Sequence, residues 1–228
     1  GLCSRRRPEP AARLRRFAVL IAARNEESCI AGLIESLRAQ HYPPELVDIW
    51  VLPNNCTDRT AEAARRAGAQ VLEMPASVRS KGAALHTAAK ALLRSARNYD
   101  AFCVFDADNE ADPAFLSEMN RALDRTAIVK SRILAKNRTQ AGISACYEIY
   151  FCSANHFLKK DASDAQRSIR EINSGACWYK ASALLEALGG FPCRTLTEDA
   201  ELYAACLCRG ARIGYCETAV TYDEEPVT

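Results

Sequence analysis

The sequence lacks the signatures of several large protein classes. Its strongest apolar run covers only residues 17–23, which is too short to cross a bilayer. None of its 11 cysteines forms a CxxC pair, which excludes a zinc ribbon. It has neither a GxGxxG fingerprint nor a Walker A loop, so the common dinucleotide and P-loop sites are excluded. The formal net charge is only +2, and no global basic field predicts nucleic-acid binding.

The composition that remains is that of a globular domain. The chain has 228 residues, of which 49% are hydrophobic and 25% charged, enough for one sizeable core. Residues 17–228 are predicted to form one domain, since no repeat or linker divides them. Residues 1–16 are rich in arginine and proline. They are interpreted either as a solvated arm or as a basic stretch beside a membrane helix of a longer parent protein.

Short β-rich runs alternate with amphipathic ones along the first half of the chain. This alternation predicts an α/β fold with a mostly parallel sheet and helices on both faces. The predicted strands are 17–23, 46–52, 69–73 and 101–105, and the predicted helices are 26–40, 57–68, 81–97 and 113–123. The later pattern is looser and predicts strands at 127–134 and 174–179, with helices at 143–159, 182–188 and 200–209.

Two carboxylates, Asp106 and Asp108, follow the fourth predicted strand. Ligands of open parallel sheets bind at the carboxyl ends of the strands, and hard divalent cations prefer carboxylate oxygens. The pattern therefore indicates a divalent-metal site, although a simple turn at the strand end would also use aspartate.

Polar residues also follow the first two predicted strands. Asn25 and Glu26 come after the first strand and Asn54 after the second, where they could face a nucleobase. The alternative is helix capping by Asn25, and by Asn55 or Thr57.

Three later positions carry further candidates. Lys81 opens a predicted helix and could approach a phosphate, or it could simply be solvated. Glu198 and Asp199 begin the last long helix, where Asp199 could act as a general base and where acidic residues also favour the helix dipole. Trp178 could line a sugar pocket, with core packing as the alternative.

Five motifs follow one another along the chain: Val19-Leu20-Ile21-Ala22-Ala23-Arg24-Asn25-Glu26, Asn54-Asn55-Cys56-Thr57-Asp58, Lys81-Gly82, Asp106-Ala107-Asp108 and Thr197-Glu198-Asp199. In this order and spacing they resemble family 2 glycosyltransferases with the GT-A fold. The resemblance is greatest to the membrane-embedded branch that includes cellulose, hyaluronan and poly-N-acetylglucosamine synthases.

The resemblance implies a role for each matching residue. Ala23, Asn25, Glu26, Asn54, Lys81 and Asp106 would bind the nucleotide, and Asp108 with Asp106 would hold Mn2+ or Mg2+. Asp199 would be the catalytic base. The residues Asn173, Ser174, Gly175, Trp178 and Glu198 would line the pocket for the donor sugar and acceptor. The implied reaction is an inverting, metal-dependent transfer from a UDP-sugar to a carbohydrate or lipid acceptor, giving a β-linkage.

The sequence departs from the family pattern at three places. Ala23 stands where proline is usual, and Asn54 where aspartate is usual; an amide oxygen at Asn54 is expected to accept from uracil N3–H. The Gln-x-x-Arg-Trp motif is absent, because the chain ends about where it would start. We therefore expect the chain to be the catalytic part of a longer, membrane-associated protein. That protein is expected to lie at the cytoplasmic face of the cell membrane and to act in polysaccharide or glycolipid synthesis. The alternatives are a soluble non-processive family member, a nucleotidyltransferase and a non-catalytic nucleotide-binding domain.

Overall fold

The computed structural model describes residues 11–137, 142–155, 176–179, 184–191, 193 and 198–224. Within these ranges eight strands form one sheet, with the spatial order β3-β2-β1-β4-β7-β6-β8-β5. The strands are β1 Phe17–Ala23, β2 Val47–Pro53, β3 Gln70–Val71, β4 Ala101–Asp106, β5 Glu110–Ala111, β6 Ile128–Ala135, β7 Ala176–Tyr179 and β8 Ile213–Asp223. The helices are α1 Ile30–Arg38, α2 Thr60–Arg66, α3 Lys81–Leu93, α4 Phe115–Ala122, α5 Gly142–Ser153, α6 Leu184–Leu188 and α7 Glu198–Leu207.

The first half of the sheet is parallel and confirms the α/β prediction. Strand β1 lies between β2 and β4, and its residue Ala22 is in register with Leu52 on one side and Asp106 on the other. The carboxyl ends of these three strands therefore meet at one edge of the sheet. Strand β7 pairs antiparallel with β4 and β6, so the sheet is mixed beyond β4.

Both faces of the sheet are covered by helices. In β1 the side chains of Phe17, Val19 and Ile21 belong to one buried core, while Ala18 and Leu20 belong to the other. Because successive side chains of a strand point to opposite faces, a nearly continuous apolar strand supplies both cores.

The first two helices begin later than the sequence predicts. Helix α1 begins at Ile30 and α2 at Thr60, whereas the periodicity placed their starts at residues 26 and 57. The residues between each strand end and its helix form loops, in which Asn25 and Asn55 adopt left-handed backbone conformations with φ of 61° and 52°. Asparagine tolerates this conformation better than most residues.

The sequence pattern missed strands β5 and β8. Strand β8 is 11 residues long and parallel to β6, but its register shifts between Ser131, which pairs with Cys216, and Arg132, which pairs with Val220. This irregularity interrupts the two-residue alternation that identifies a strand. Helix α5 ends at Ser153, and the rest of the predicted helix 143–159 lies largely outside the described residues.

The end of the arginine-rich segment is packed against the domain. The Arg15 side chain is 4% exposed, forms an ion pair of 2.6 Å with Asp124 and donates to the Asn120 carbonyl. Arg13 pairs with Asp100. Arg15 is therefore held against the domain, whereas Arg13 and Leu14 are exposed. Among the helices that the structure describes, none is both long and apolar enough to span a bilayer.

Candidate active site

A cleft of about 340 Å³ lies at the carboxyl ends of β1, β2 and β4. Loops that leave parallel strands diverge at this edge, which leaves a concavity between them. The structure brings together six of the predicted site residues here. The lining residues are Ala22, Ala23, Arg24, Glu26, Asn54, Arg79, Lys81, Asp106, Ala107 and Asp108.

Lys81 joins the strand-end carboxylates to the start of α7. Helix α3 begins at Lys81, where the Ser80 hydroxyl caps the helix by accepting from the Ala83 N–H. The Lys81 Nζ lies 2.5 Å from Asp106 Oδ1 and 3.2 Å from Glu198 Oε1. Burial lowers the pKa of Lys81, but the two carboxylates outweigh burial and raise it. The lysine is therefore a stable cation between two distant acidic motifs.

Asp108 lies in a negative environment. Burial raises its pKa, and the charges of Asp106, Glu26 and Glu224 raise it further. A divalent cation would relieve this repulsion, and carboxylate oxygens are its preferred ligands. In the described ranges no group of three or more acidic, histidine or cysteine side chains is placed to hold a metal. Within the part of the chain that the structure describes, Asp106 and Asp108 are the carboxylates at the end of β4 that line the cleft as candidate metal ligands.

The turn that carries these aspartates is hydrogen-bonded to the end of β8. The Asp106 backbone N–H donates to Asn109 Oδ1 over 3.0 Å, and Asn109 Nδ2 donates to Asp223 Oδ1 over 2.9 Å. Asn109 is buried. The last residue of β8, which the sequence pattern missed, therefore helps to position the two carboxylates.

Glu26 is held at the cleft by two contacts. Its backbone N–H donates to Thr60 Oγ1, and its Oε2 accepts from the Cys29 thiol at 3.1 Å. Burial raises the pKa of Cys29 to about 12, with a further contribution from Glu26, so the thiol keeps its proton. No local pattern identifies Cys29 as a partner of Glu26, because the contact depends on the loop conformation before α1.

The asparagines at the strand ends do not cap helices. The N-cap residues of α1 and α2 are Cys29 and Arg59, so the capping alternative is wrong. Asn25 Oδ1 instead accepts from the Thr57 backbone N–H over 2.8 Å and joins the two loops, and Asn25 is not among the cleft-lining residues. Asn54 is 5% exposed and lines the cleft.

Asp199 is the second residue of α7. It directly follows Glu198, which contacts Lys81, and its Oδ1 accepts from the Ala200 N–H over 2.8 Å. Asn173, Ser174 and Gly175 lie outside the described residues, so the structure does not place that part of the predicted sugar pocket. Trp178 belongs to β7, in register with Phe102 of the neighbouring β4, and its side chain is likewise outside the description.

Two cations of the cleft were missed as site residues. Arg24 follows β1 directly, and Arg79 precedes Lys81 by two residues; both are exposed and line the cleft. The rule that ligands bind at strand ends would have found Arg24. Arg79 had only its closeness to Lys81 as a signal. Together with Lys81 they place three positive side chains around the two aspartates, an arrangement suited to an anionic ligand accompanied by a metal.

Comparisons with known proteins agree with this geometry. The chain is 25% identical over 232 residues to the probable glycosyltransferase YdaM of Bacillus subtilis, covering 94% of this chain and 52% of that protein. It is 27% identical over 195 residues to the beta-monoglucosyldiacylglycerol synthase of Synechocystis, covering 81% of this chain and 38% of that protein. The chain thus spans about half the length, or less, of these curated relatives.

A solved structure has the same fold. The mannosyltransferase PcManGT from Pyrobaculum calidifontis, in complex with GDP-Man and Mn2+, superposes with a TM-score of 0.72 at 22% identity. The match covers 96% of this chain and 59% of that one.

The family described as "Glycosyltransferase like family 2" matches residues 15–228. The chain therefore belongs to this glycosyltransferase family.

Proposed function

We propose that this domain transfers a sugar from a nucleoside diphosphate sugar to an acceptor hydroxyl, with inversion at the anomeric carbon. The observation that carries the proposal is the position of Lys81, whose Nζ contacts both Asp106 of the strand-end pair and Glu198 of the last motif. This contact links the strand-end carboxylates, which line the cleft, to the start of α7, and so supports a site in which donor and acceptor meet.

The diphosphate of the donor would bind among the positive side chains of the cleft. Lys81, Arg79 and Arg24 supply the charge that a leaving diphosphate needs. Asp108 and Asp106 would hold Mn2+ or Mg2+, and their carboxylate oxygens suit either ion. The bound metal would neutralise the diphosphate as leaving group.

Asp199 is the proposed catalytic base. It directly follows Glu198, whose carboxylate contacts Lys81, at the start of α7, and we propose that its carboxylate reaches the acceptor. A carboxylate there would accept the proton of the acceptor hydroxyl as the oxygen attacks the anomeric carbon. Displacement in one step inverts the configuration, so an α-linked donor gives a β-linked product. Glu198, Trp178 and the segment Asn173-Ser174-Gly175 are proposed to line the sugar and acceptor pocket.

The donor and acceptor classes rest on similarity. The expected donor is a UDP-sugar, as in the synthase-like branch, and the GDP-Man complex of the Pyrobaculum enzyme makes a GDP-sugar the comparison to test. The name of the synthase from Synechocystis indicates that its product is a glucosylated diacylglycerol, which favours a lipid acceptor over a soluble one. We therefore propose a membrane-associated parent protein that makes a glycolipid or polysaccharide at the cytoplasmic face.

The deciding experiment is a titration of the chain with nucleoside diphosphates by calorimetry. UDP, GDP and dTDP are compared with and without Mn2+, followed by assays for sugar transfer with the donors that bind. We expect at least one diphosphate to bind, and its affinity to rise at least about tenfold (about 1.4 kcal/mol) with Mn2+, because the metal would neutralise charge on the diphosphate. If no diphosphate binds under either condition, the proposal is wrong.

A further inference from the structure

We infer that Asn54 meets the nucleobase as a hydrogen-bond donor, through its Nδ2, and that Asn55 imposes this orientation. The inference rests on the proposed function, because it assumes that a nucleotide occupies the cleft. It deepens that function by naming the group that reads the base. It also changes the expectation from the sequence, in which the Asn54 amide oxygen accepts from uracil N3–H.

The orientation of both amides follows from one backbone carbonyl. The Asn55 side chain donates from Nδ2 to the Val78 carbonyl oxygen over 2.7 Å. A carbonyl can only accept, so this contact identifies which end of the Asn55 amide is the nitrogen. The same Nδ2 lies 2.9 Å from the Asn54 side chain, and the Asn54 atom that it contacts must therefore be the acceptor, Oδ1.

The backbone holds this pair of amides in place. Asn55 has a φ of 52°, a left-handed conformation that directs its side chain toward the turn ending at Val78. The Asn54 backbone N–H donates to the Ala23 carbonyl over 2.9 Å, which anchors the residue at the end of β2. Asn54 is 5% exposed, and it lines the cleft. With Oδ1 turned to Asn55, Nδ2 is the polar atom left to face a ligand.

A donor at this position recognises a different part of the base. Uracil N3–H is itself a donor and cannot bond to an NH2 group, whereas the O2 carbonyl of uracil or cytosine and the N3 of cytosine can accept from it. An aspartate at position 54 would do the opposite, accepting from uracil N3–H and repelling the lone pair of cytosine N3. The wild-type chain should therefore discriminate weakly between UDP and CDP.

The test compares UDP and CDP affinities by calorimetry in Mn2+, for the wild-type chain, Asn54→Asp and Asn55→Gly. The ratio of the two affinities cancels contributions from ribose, diphosphate and metal, which both ligands share. We expect a wild-type ratio within about threefold. Asn54→Asp should prefer UDP by about tenfold or more, which corresponds to about 1.4 kcal/mol, since mismatching a buried polar group carries a penalty of this order. Asn55→Gly keeps the left-handed backbone, frees the Asn54 amide to turn, and should move the ratio toward UDP.

A matched control is Asn98→Gly. Asn98 has a φ of 48° in an exposed turn outside the cleft, so this change reports the effect of an asparagine-to-glycine substitution alone. It should leave the ratio at the wild-type value. A wild-type preference for UDP of tenfold or more that Asn54→Asp does not increase would overturn the inference while the proposed function stands. If neither ligand nor any other nucleoside diphosphate binds to any variant, the proposed function fails and the inference with it.

Discussion

The ammonium group of Lys81 lies 2.5 Å from Oδ1 of Asp106. This contact crosses from the first residue of α3 to the last residue of β4, and the second contact of Lys81, with Glu198, extends it to α7. Three elements that are far apart in the chain are thereby joined at one cation. A diphosphate entering the cleft would share this cation, so nucleotide binding and the position of α7 are expected to be coupled.

Replacing Lys81 tests this role. Lys81→Gln should weaken nucleoside diphosphate binding by about tenfold to a hundredfold, because a charge-assisted hydrogen bond to phosphate contributes about 1.5–3 kcal/mol. Titration calorimetry measures the change. Lys90→Gln, on the same helix but exposed, is the control and should bind like the wild-type chain. Equal affinities of the two variants would contradict a phosphate role for Lys81.

Replacing Asp108 should affect stability and binding in opposite directions. Asp108→Asn removes a carboxylate that Asp106, Glu26 and Glu224 repel, so the metal-free protein should melt about 1–2 °C higher. In the same variant, Mn2+ should no longer increase the affinity for the nucleotide. Calorimetry and thermal melts, each with and without Mn2+, measure both effects. Retained Mn2+ dependence in this variant would exclude Asp108 as a ligand.

Asp199→Asn tests the catalytic base. The amide cannot accept the acceptor's proton, so transfer should fall by about 10²–10⁴-fold, the usual contribution of general-base catalysis. Nucleotide affinity should change less than about threefold, because the base acts on the acceptor. Initial rates with the full-length parent protein and titrations of the same variant separate the two effects. Near-normal transfer would show that another group takes the proton.

Two glycine-to-alanine changes separate helix propensity from packing. A methyl group at Gly82 would lie 2.6 Å from the Cys193 Cβ and 3.1 Å from the Glu198 Cβ. A methyl at Gly32 of α1 would meet only Glu110 Oε1, at 3.8 Å.

Alanine favours an α-helix over glycine by about 1 kcal/mol. Gly32→Ala should therefore raise the free energy of unfolding, whereas Gly82→Ala should lower it and displace Glu198 from Lys81. Urea unfolding of both variants provides the comparison, and equal stabilisation by the two changes would show that α7 does not pack closely on Gly82.

The ion pair between Arg15 and Asp124 makes a pH-dependent contribution to stability. Partial burial raises the pKa of Asp124, but hydrogen bonds from the Ala12 N–H and the Arg15 guanidinium outweigh it and hold the pKa below its ordinary value. The stabilisation is therefore complete above the unfolded-state pKa of about 3.9 and is lost as the pH falls through the lower folded-state value.

Asp124→Asn should cost about 2 kcal/mol at neutral pH, because it leaves the buried Arg15 charge without its carboxylate. Below pH 5 the free energy of unfolding of the variant should also fall less steeply than that of the wild-type chain. Urea unfolding at several pH values gives both quantities. If the difference in the free energy of unfolding between the wild-type chain and the variant does not shrink between pH 5 and pH 2, this account is wrong.

The order of elements and most of the candidate site could be predicted from local sequence. The strands predicted at residues 17–23 and 101–105 and the helix start at Lys81 were confirmed, because each depends on short-range periodicity or on a helix start. The strand-end rule then placed Glu26, Asn54 and Asp108 at one edge, and the cleft contains all three.

Other features could not be read from the sequence, since they depend on contacts between distant segments. Strand β8 has an interrupted alternation, and only its pairing with β6 makes it a strand. The ion pairs of Lys81 with Asp106 and Glu198 join residues that are 25 and 117 positions away from it along the chain.

The sequence alone determined the family, the α/β order and the chemical types available at the strand ends, because these follow from residue identity and spacing. Only the tertiary structure decided which atom of each side chain is available to a ligand. Asn54 shows the difference: its identity provides both a donor and an acceptor, and the contact with Asn55, itself oriented by the Val78 carbonyl, engages the acceptor. Hydrogen-bond orientation depends on neighbours in space, and those neighbours exist only after the chain has folded.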